Sequence, residues 1–127
     1  MIVGIGVDIV EIHRIRHVRE KHGEAFLQKC FTADEVAYCL TKKNVDESLA
    51  ARFAAKEAVM KTLGTGWGKG VSFNSIEVTR DDDGIPRIKL HGKAEELRRE
   101  LKISKVLISL SHSQCYAVAQ AIAVNEQ

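Results

Sequence analysis

The chain has 127 residues, 45% hydrophobic and 28% charged, the balance of one globular domain over residues 1–127 with a single core. A net charge of +2, with one Trp, two Tyr and four Phe and no basic stripe running among them, excludes a nucleic-acid platform. No apolar run approaches the ~20 residues that cross a bilayer, so no membrane span is expected.

Residues 2–10 are apolar and rich in β-branched side chains apart from Gly4, Gly6 and Asp8, and they read as a buried strand. An unpaired carboxylate in such a strand is costly, so Asp8 requires a cation, a metal or hydrogen-bond donors. Residues 11–22 follow as a helix. Ile12, Ile15 and Val18 recur every three residues, with Arg14, Arg16 and Lys21 on the opposite side. A short helical piece covers residues 24–30. Thr32 and Glu35 have capping-box spacing ahead of a third helix. Residues 42–46 read as a polar turn, and residues 48–63 as a long helix stopped by Gly64. A glycine-rich loop occupies residues 64–70. Residues 75–80 and 86–90 alternate as the strands of a hairpin across the turn at 81–84. Residues 93–101 form a charged amphipathic helix, and residues 106–110 and 116–124 are apolar strands joined at Ser113–Gln114. Each half thus holds helices plus a strand pair, a weak echo that suggests an internal pseudo-twofold.

Three cysteines, Cys30, Cys39 and Cys115, at unpatterned spacing fit neither a disulfide framework nor a zinc site. The N-terminus lacks the basic start and cleavage site of a signal peptide. A cytoplasmic protein with reduced thiols is expected.

Glu57 lies in a second low-polarity stretch, residues 53–61. Two acids in apolar surroundings on different elements point to a shared hard cation such as Mg²⁺. The plainer readings are a structural ion pair for Asp8 and a helix-surface pair with Lys61 for Glu57. Ala54, Ala55, Ala58 and Val59 argue against a solvated face around Glu57. Arg52, Lys56, Lys61 and Lys69 offer the positive charge that suits a metal–pyrophosphate ligand. Gly4 and Gly6 fail the dinucleotide fingerprint because Ile9 stands at the third glycine position. Gly68-Lys69 fails as a P-loop because no Ser or Thr follows and the loop comes after a helix. The loop is either a mobile linker or a place where backbone approaches phosphates. His112 ends an apolar strand, either as a hydrogen-bonded turn residue or as a functional group.

Five blocks, in this order, resemble one family: GIGVDIVEIHRI at 4–15, FTADEVAYC at 31–39, RFAAKEAVMKTLGTG at 52–66, GIPRIKLHGKA at 84–94 and ISLSHS at 108–113. The family is that of the holo-acyl-carrier-protein synthases, the small bacterial 4′-phosphopantetheinyl transferases. The resemblance implies an α+β fold, antiparallel sheet packed against a long helix, in a homotrimer whose active sites lie between chains. It implies transfer of 4′-phosphopantetheine from coenzyme A to a serine of apo-acyl carrier protein, for fatty acid biosynthesis, with adenosine 3′,5′-bisphosphate released. Asp8 and Glu57 are implied as Mg²⁺ ligands, with Lys61 beside the pyrophosphate. Arg52, Phe53 and Lys56 are implied on the nucleotide and its phosphates. Gly64 and Gly66 are implied in a loop around the coenzyme, and Ser111 and His112 at its phosphates or adenosine end. The acceptor of the serine proton stays open between Glu57 and a water on the ion. Arg14 and Lys21 are expected to meet the acidic carrier. The competing classes are a metal-dependent nucleotide or coenzyme A hydrolase and a noncatalytic module that binds an acidic protein.

Overall fold

A computed structural model describes residues 1–64 and 70–126. Strand β1 (Ile2–Glu11) runs directly into helix α1 (Ile12–His22), followed by α2 (Glu24–Cys30), α3 (Ala33–Leu40) and the long α4 (Val45–Thr62). A short 3-10 turn (Phe73–Ser75) leads into the hairpin of β2 (Ile76–Arg80) and β3 (Pro86–Leu90); α5 (Gly92–Glu100), β4 (Lys105–His112) and β5 (Tyr116–Val124) complete the chain. All strand pairings are antiparallel, in a three-stranded sheet of order β1-β5-β4 and the two-stranded β2-β3. The fold is α+β, as expected.

Local signals set most of the boundaries. Gly23, at φ 52°, separates α1 from α2. Thr32 accepts from the Glu35 backbone N–H while the Glu35 carboxylate accepts from that of Thr32, the reciprocal box expected from their spacing. Helix α4 begins at Val45 rather than near residue 48, because the Asn44 side chain caps it by accepting from Glu47 N–H. Its last turn closes on Gly64, at φ 72°, whose N–H donates to the Lys61 carbonyl.

Helix α4 is the centre of the molecule and packs on β1 and β5. The contact is built from small residues: Ala51, Ala54, Ala55 and Ala58 on the helix, and Ala117, Ala119, Ala121 and Ala123 on the inner face of β5, all buried. Gly6 pairs with Ala121 in the sheet. A Cβ on Gly6 would lie 2.0 Å from the Ala58 carbonyl oxygen, and one on Gly4 2.5 Å from that of Thr62. The two glycines therefore let strand backbone touch helix backbone. Thr62 Oγ1 sits between the Ala58 and Ala121 carbonyls, at 2.9 and 3.3 Å, and ties the layers together.

One expectation is corrected. Strand β1 is covered on one face only. Gly4, Gly6 and Asp8 turn inward toward α4, whereas Ile5, Val7 and Ile9 are 63%, 56% and 64% exposed. Beside them in register stand Ile122, Gln120 and Val118 of β5, then Leu107 and Ser109 of β4. The outer face of this sheet is thus largely apolar and uncovered within the chain.

Candidate functional site

From Leu49 to Thr62 every residue of α4 is buried except Phe53, Glu57 and Lys61. These recur at intervals of four, so they form one edge of the helix. That edge faces the inward side of β1, where Asp8 pairs in register with Ala119. The close approach allowed by Gly4 and Gly6 brings the carboxylate to the last turns of the helix. Lys61 Nζ donates to the Val7 carbonyl at 2.8 Å and to Asp8 Oδ1 at 3.1 Å. Lys61 therefore reaches across to the strand, in place of the surface pair with Glu57.

Asp8 and Glu57 line one cavity of roughly 710 Å³. Its floor is apolar, with Val10, Ile15, Phe26, Phe53 and Phe73, and Arg14 and Tyr116 stand at its border. Phe53 and Phe73 stack at 5.0 Å between centroids. Burial pushes the Glu57 carboxyl above the usual carboxylate range, the charge of Asp8 adds to this, and Lys61 opposes it. Two carboxylates lining one cleft form a cation-seeking pair. Both are hard oxygen donors. Mg²⁺ is commonly held by one or two carboxylates plus substrate phosphates and water, so the pair fits that ion. No group of three or more His, Cys, Asp or Glu suited to a metal gathers among the described residues.

Arg52 and His112 meet elsewhere. They line a second cavity of roughly 400 Å³ together with Tyr38, Lys42, Ser48 and Arg80. The two cavities share no residue. Arg52 Nη1 donates to the Ser48 carbonyl and hydroxyl at 3.2 and 3.3 Å, while its buried Nε has no hydrogen-bond partner among the described residues. The Tyr38 ring carries Arg52 at 4.3 Å, Lys42 at 4.5 Å and Arg80 at 5.5 Å. Burial pushes the Tyr38 phenol up, but the Lys42 hydrogen bond and the charges of Arg80 and Arg52 outweigh it and hold the group below its ordinary value. This concentration of cations is an anion site. Sequence reading found Arg52 and His112 but missed Tyr38, Lys42 and Arg80. Tyr38 in α3 and Lys42 in the turn after it are four residues apart, but Arg80 ends β2, and only the fold brings it to them.

Lys56 is a correction. It is fully buried, and its ammonium donates to Glu35 Oε1 at 2.6 Å and the Phe73 carbonyl at 3.0 Å. It has no surface to offer a nucleotide, because its ammonium is enclosed by Glu35, the Phe73 carbonyl and the Phe31 ring. Ser111 and His112 are exposed neighbours on β4 and point to opposite faces of the sheet. His112 Nδ1 lies 3.6 Å from Glu47. Gly64 is exposed at the end of α4, and Gly66 and Lys69 lie outside the described residues. Arg14 and Lys21 are exposed on α1. Arg16 is drawn to Asp46, which also accepts from Arg19.

Residues 4–120 match the family model of the 4′-phosphopantetheinyl transferase superfamily. The chain belongs to this superfamily. A holo-acyl-carrier-protein synthase from Halothermothrix orenii is 48% identical over 119 residues, 94% of each chain. The crystal structure of a holo-acyl-carrier-protein synthase from Neisseria meningitidis superposes with a TM-score of 0.89 at 36% identity, covering 98% of this chain and 100% of that one. Another, from Helicobacter pylori in complex with coenzyme A, gives a TM-score of 0.84 at 32% identity, covering 94% and 99%. No helix among the described residues is long and apolar enough to cross a membrane.

Proposed function

We propose that the chain is a holo-acyl-carrier-protein synthase. It moves 4′-phosphopantetheine from coenzyme A to a serine hydroxyl of an apo-acyl carrier protein. The serine oxygen attacks the phosphorus that bears the pantetheine arm as its proton passes to a base, either Glu57 or a water. The bond from that phosphorus to the bridging oxygen breaks, and adenosine 3′,5′-bisphosphate leaves with the bridging oxygen. The observation that carries this reading is one cavity lined by Asp8 of β1 and by Phe53 and Glu57 of α4, with Lys61 of the same helix edge bonded to Asp8. It combines an apolar wall for an arm, two oxygen donors and a cation for a diphosphate.

Asp8 and Glu57 hold Mg²⁺. When bound, the ion supplies positive charge to the diphosphate oxygens as negative charge shifts onto the leaving phosphate. Lys61, now on Asp8 at 3.1 Å, contributes its ammonium to the same oxygens. Phe53 and Phe73 line the apolar part of the cavity and exclude water from the arm. Arg14, at the cavity border, faces the incoming acidic carrier, and Lys21 extends the basic side of α1.

Arg52 and His112 lie in a cavity apart from Asp8 and Glu57, and the apolar outer face of the sheet lacks cover. A homotrimer answers both, with the cationic cavity of one chain receiving the nucleotide phosphates of a coenzyme bound at the acids of the next. Gly64, Gly66 and Ser111 contribute at that junction. The three free thiols suit the reducing cytoplasm.

One assay tests the reading. The protein is mixed with coenzyme A, Mg²⁺ and an apo-acyl carrier protein, and the carrier is weighed. Transfer adds one phosphopantetheine to it. Coenzyme cleaved with the carrier unmodified identifies a hydrolase instead, and binding with neither outcome identifies a noncatalytic module.

A further inference from the structure

Lys56 stands next to Glu57 in sequence, yet its ammonium is sealed in the interior between α4, α3 and the 3-10 turn at Phe73. Six residues meet there. Glu35 of α3 accepts from Lys56 Nζ at 2.6 Å, from Thr32 N–H at 2.8 Å and, through its second oxygen, from Val78 N–H of β2 at 2.8 Å. Lys56 Nζ also donates to the Phe73 carbonyl at 3.0 Å and lies 5.4 Å from the Phe31 ring centroid. Both side chains are essentially unexposed, 0% for Lys56 and 1% for Glu35.

Burying two charges costs desolvation that an apolar pair of the same volume avoids, so such a pair is weak evidence for added stability. Geometry offers another use. Phe73 is held by its carbonyl, and its ring stacks on Phe53 in the wall of the cavity that contains Asp8 and Glu57. The same bond anchors the segment that returns from Gly70 into β2. We propose that Lys56 and Glu35 are positioning residues for coenzyme binding. They fix the Phe73 backbone, and through it the Phe53–Phe73 wall, without touching the ligand. This deepens the transferase reading and rests on it.

The test is a double-mutant cycle with Glu35→Gln, Lys56→Met and the combined variant, read by calorimetric titration with coenzyme A in Mg²⁺ and by steady-state kinetics. Glu35 does not line the cavity, so Glu35→Gln separates positioning from contact. The expected result is coenzyme Kd and KM raised three- to tenfold in Glu35→Gln, with kcat at saturating coenzyme within about twofold of the parent. The combined variant should lose no more than the worse single variant, because the two residues act as one unit. If Lys56→Met does not fold, Glu35→Gln, which keeps the shape of the side chain, decides alone. A folded Glu35→Gln variant that binds coenzyme A within twofold of the parent overturns the proposal, and so do losses that multiply in the combined variant. Failure of the transferase reading shows separately, as parent protein that binds coenzyme A but adds no mass to the carrier.

Discussion

Asp8 has a partner in the free chain, and the partner is the lysine expected beside Glu57. This changes what each side chain contributes. Lys61 balances Asp8 until a ligand brings its own charges, while burial and Asp8 push Glu57 toward protonation against the opposing charge of Lys61. Glu57→Gln keeps the shape and removes the charge. Transfer should fall at least ~100-fold, with the Mg²⁺ needed for half-maximal binding of coenzyme A raised in parallel; unchanged Mg²⁺ dependence with activity lost would assign Glu57 to proton transfer. Arg14, exposed and lining the same cavity, is the residue proposed to meet the carrier. Arg14→Glu should raise KM for the carrier about tenfold, as expected for a reversed charge at a complementary interface, and leave the affinity for coenzyme A unchanged.

Helix α4 meets β1 without a layer of side chains between them, which is why two small residues in the strand govern the placement of Asp8. Gly6→Ala puts a methyl 2.0 Å from the Ala58 carbonyl oxygen, and backbone cannot move as a long side chain can. It should cost about 3 kcal/mol or more, seen as a lower urea midpoint, and should weaken Mg²⁺ binding because the strand shifts off the helix. The other end of α4 is tied to α1. Burial raises the cost of the Asp46 charge, but hydrogen bonds from Arg19 and Arg16 outweigh it and hold the carboxyl below its ordinary 3.8. A lowered folded-state value means stability that is present above the unfolded value and lost as pH falls through the folded one. Asp46→Asn should therefore cost about 1–2 kcal/mol near neutral pH. The gap to the parent should narrow as urea titrations are taken down to about pH 3.

The molecule as a whole leaves an apolar sheet face bare and divides its ligand groups between two cavities. The proposed homotrimer would resolve both. Val7→Lys places a charge in the middle of that face, beside Gln120 in register, and leaves the inner face with Asp8 intact. Sedimentation should then show monomers with the parent's circular dichroism, and coenzyme A affinity should fall at least ~10-fold because the neighbour's Arg52 cavity is gone. Monomers that keep the parent's coenzyme A affinity would remove the shared-site arrangement.

Much of this protein is legible residue by residue. The capping box at Thr32 and Glu35, the stop at Gly64 and the hairpin across Asp81 and Gly84 depend on groups only a few positions apart. Hydrogen bonds and φ preferences at that range act before any tertiary contact forms. The pairing of acids in apolar surroundings marked Asp8 and Glu57 for the same reason, since hydropathy is written along the chain. Sidedness was not. A strand apolar on both faces reads as buried whether its cover is its own helix or another molecule, so β1 was taken as enclosed. A helix buried nearly all round shows no stripe, so the opposite fates of Lys56 and Lys61 were hidden. Lys61 reaches Asp8 across 53 positions and Lys56 reaches Glu35 across 21. Such partners are chosen by which backbones can approach, and here that is decided by the glycines and alanines between helix and sheet.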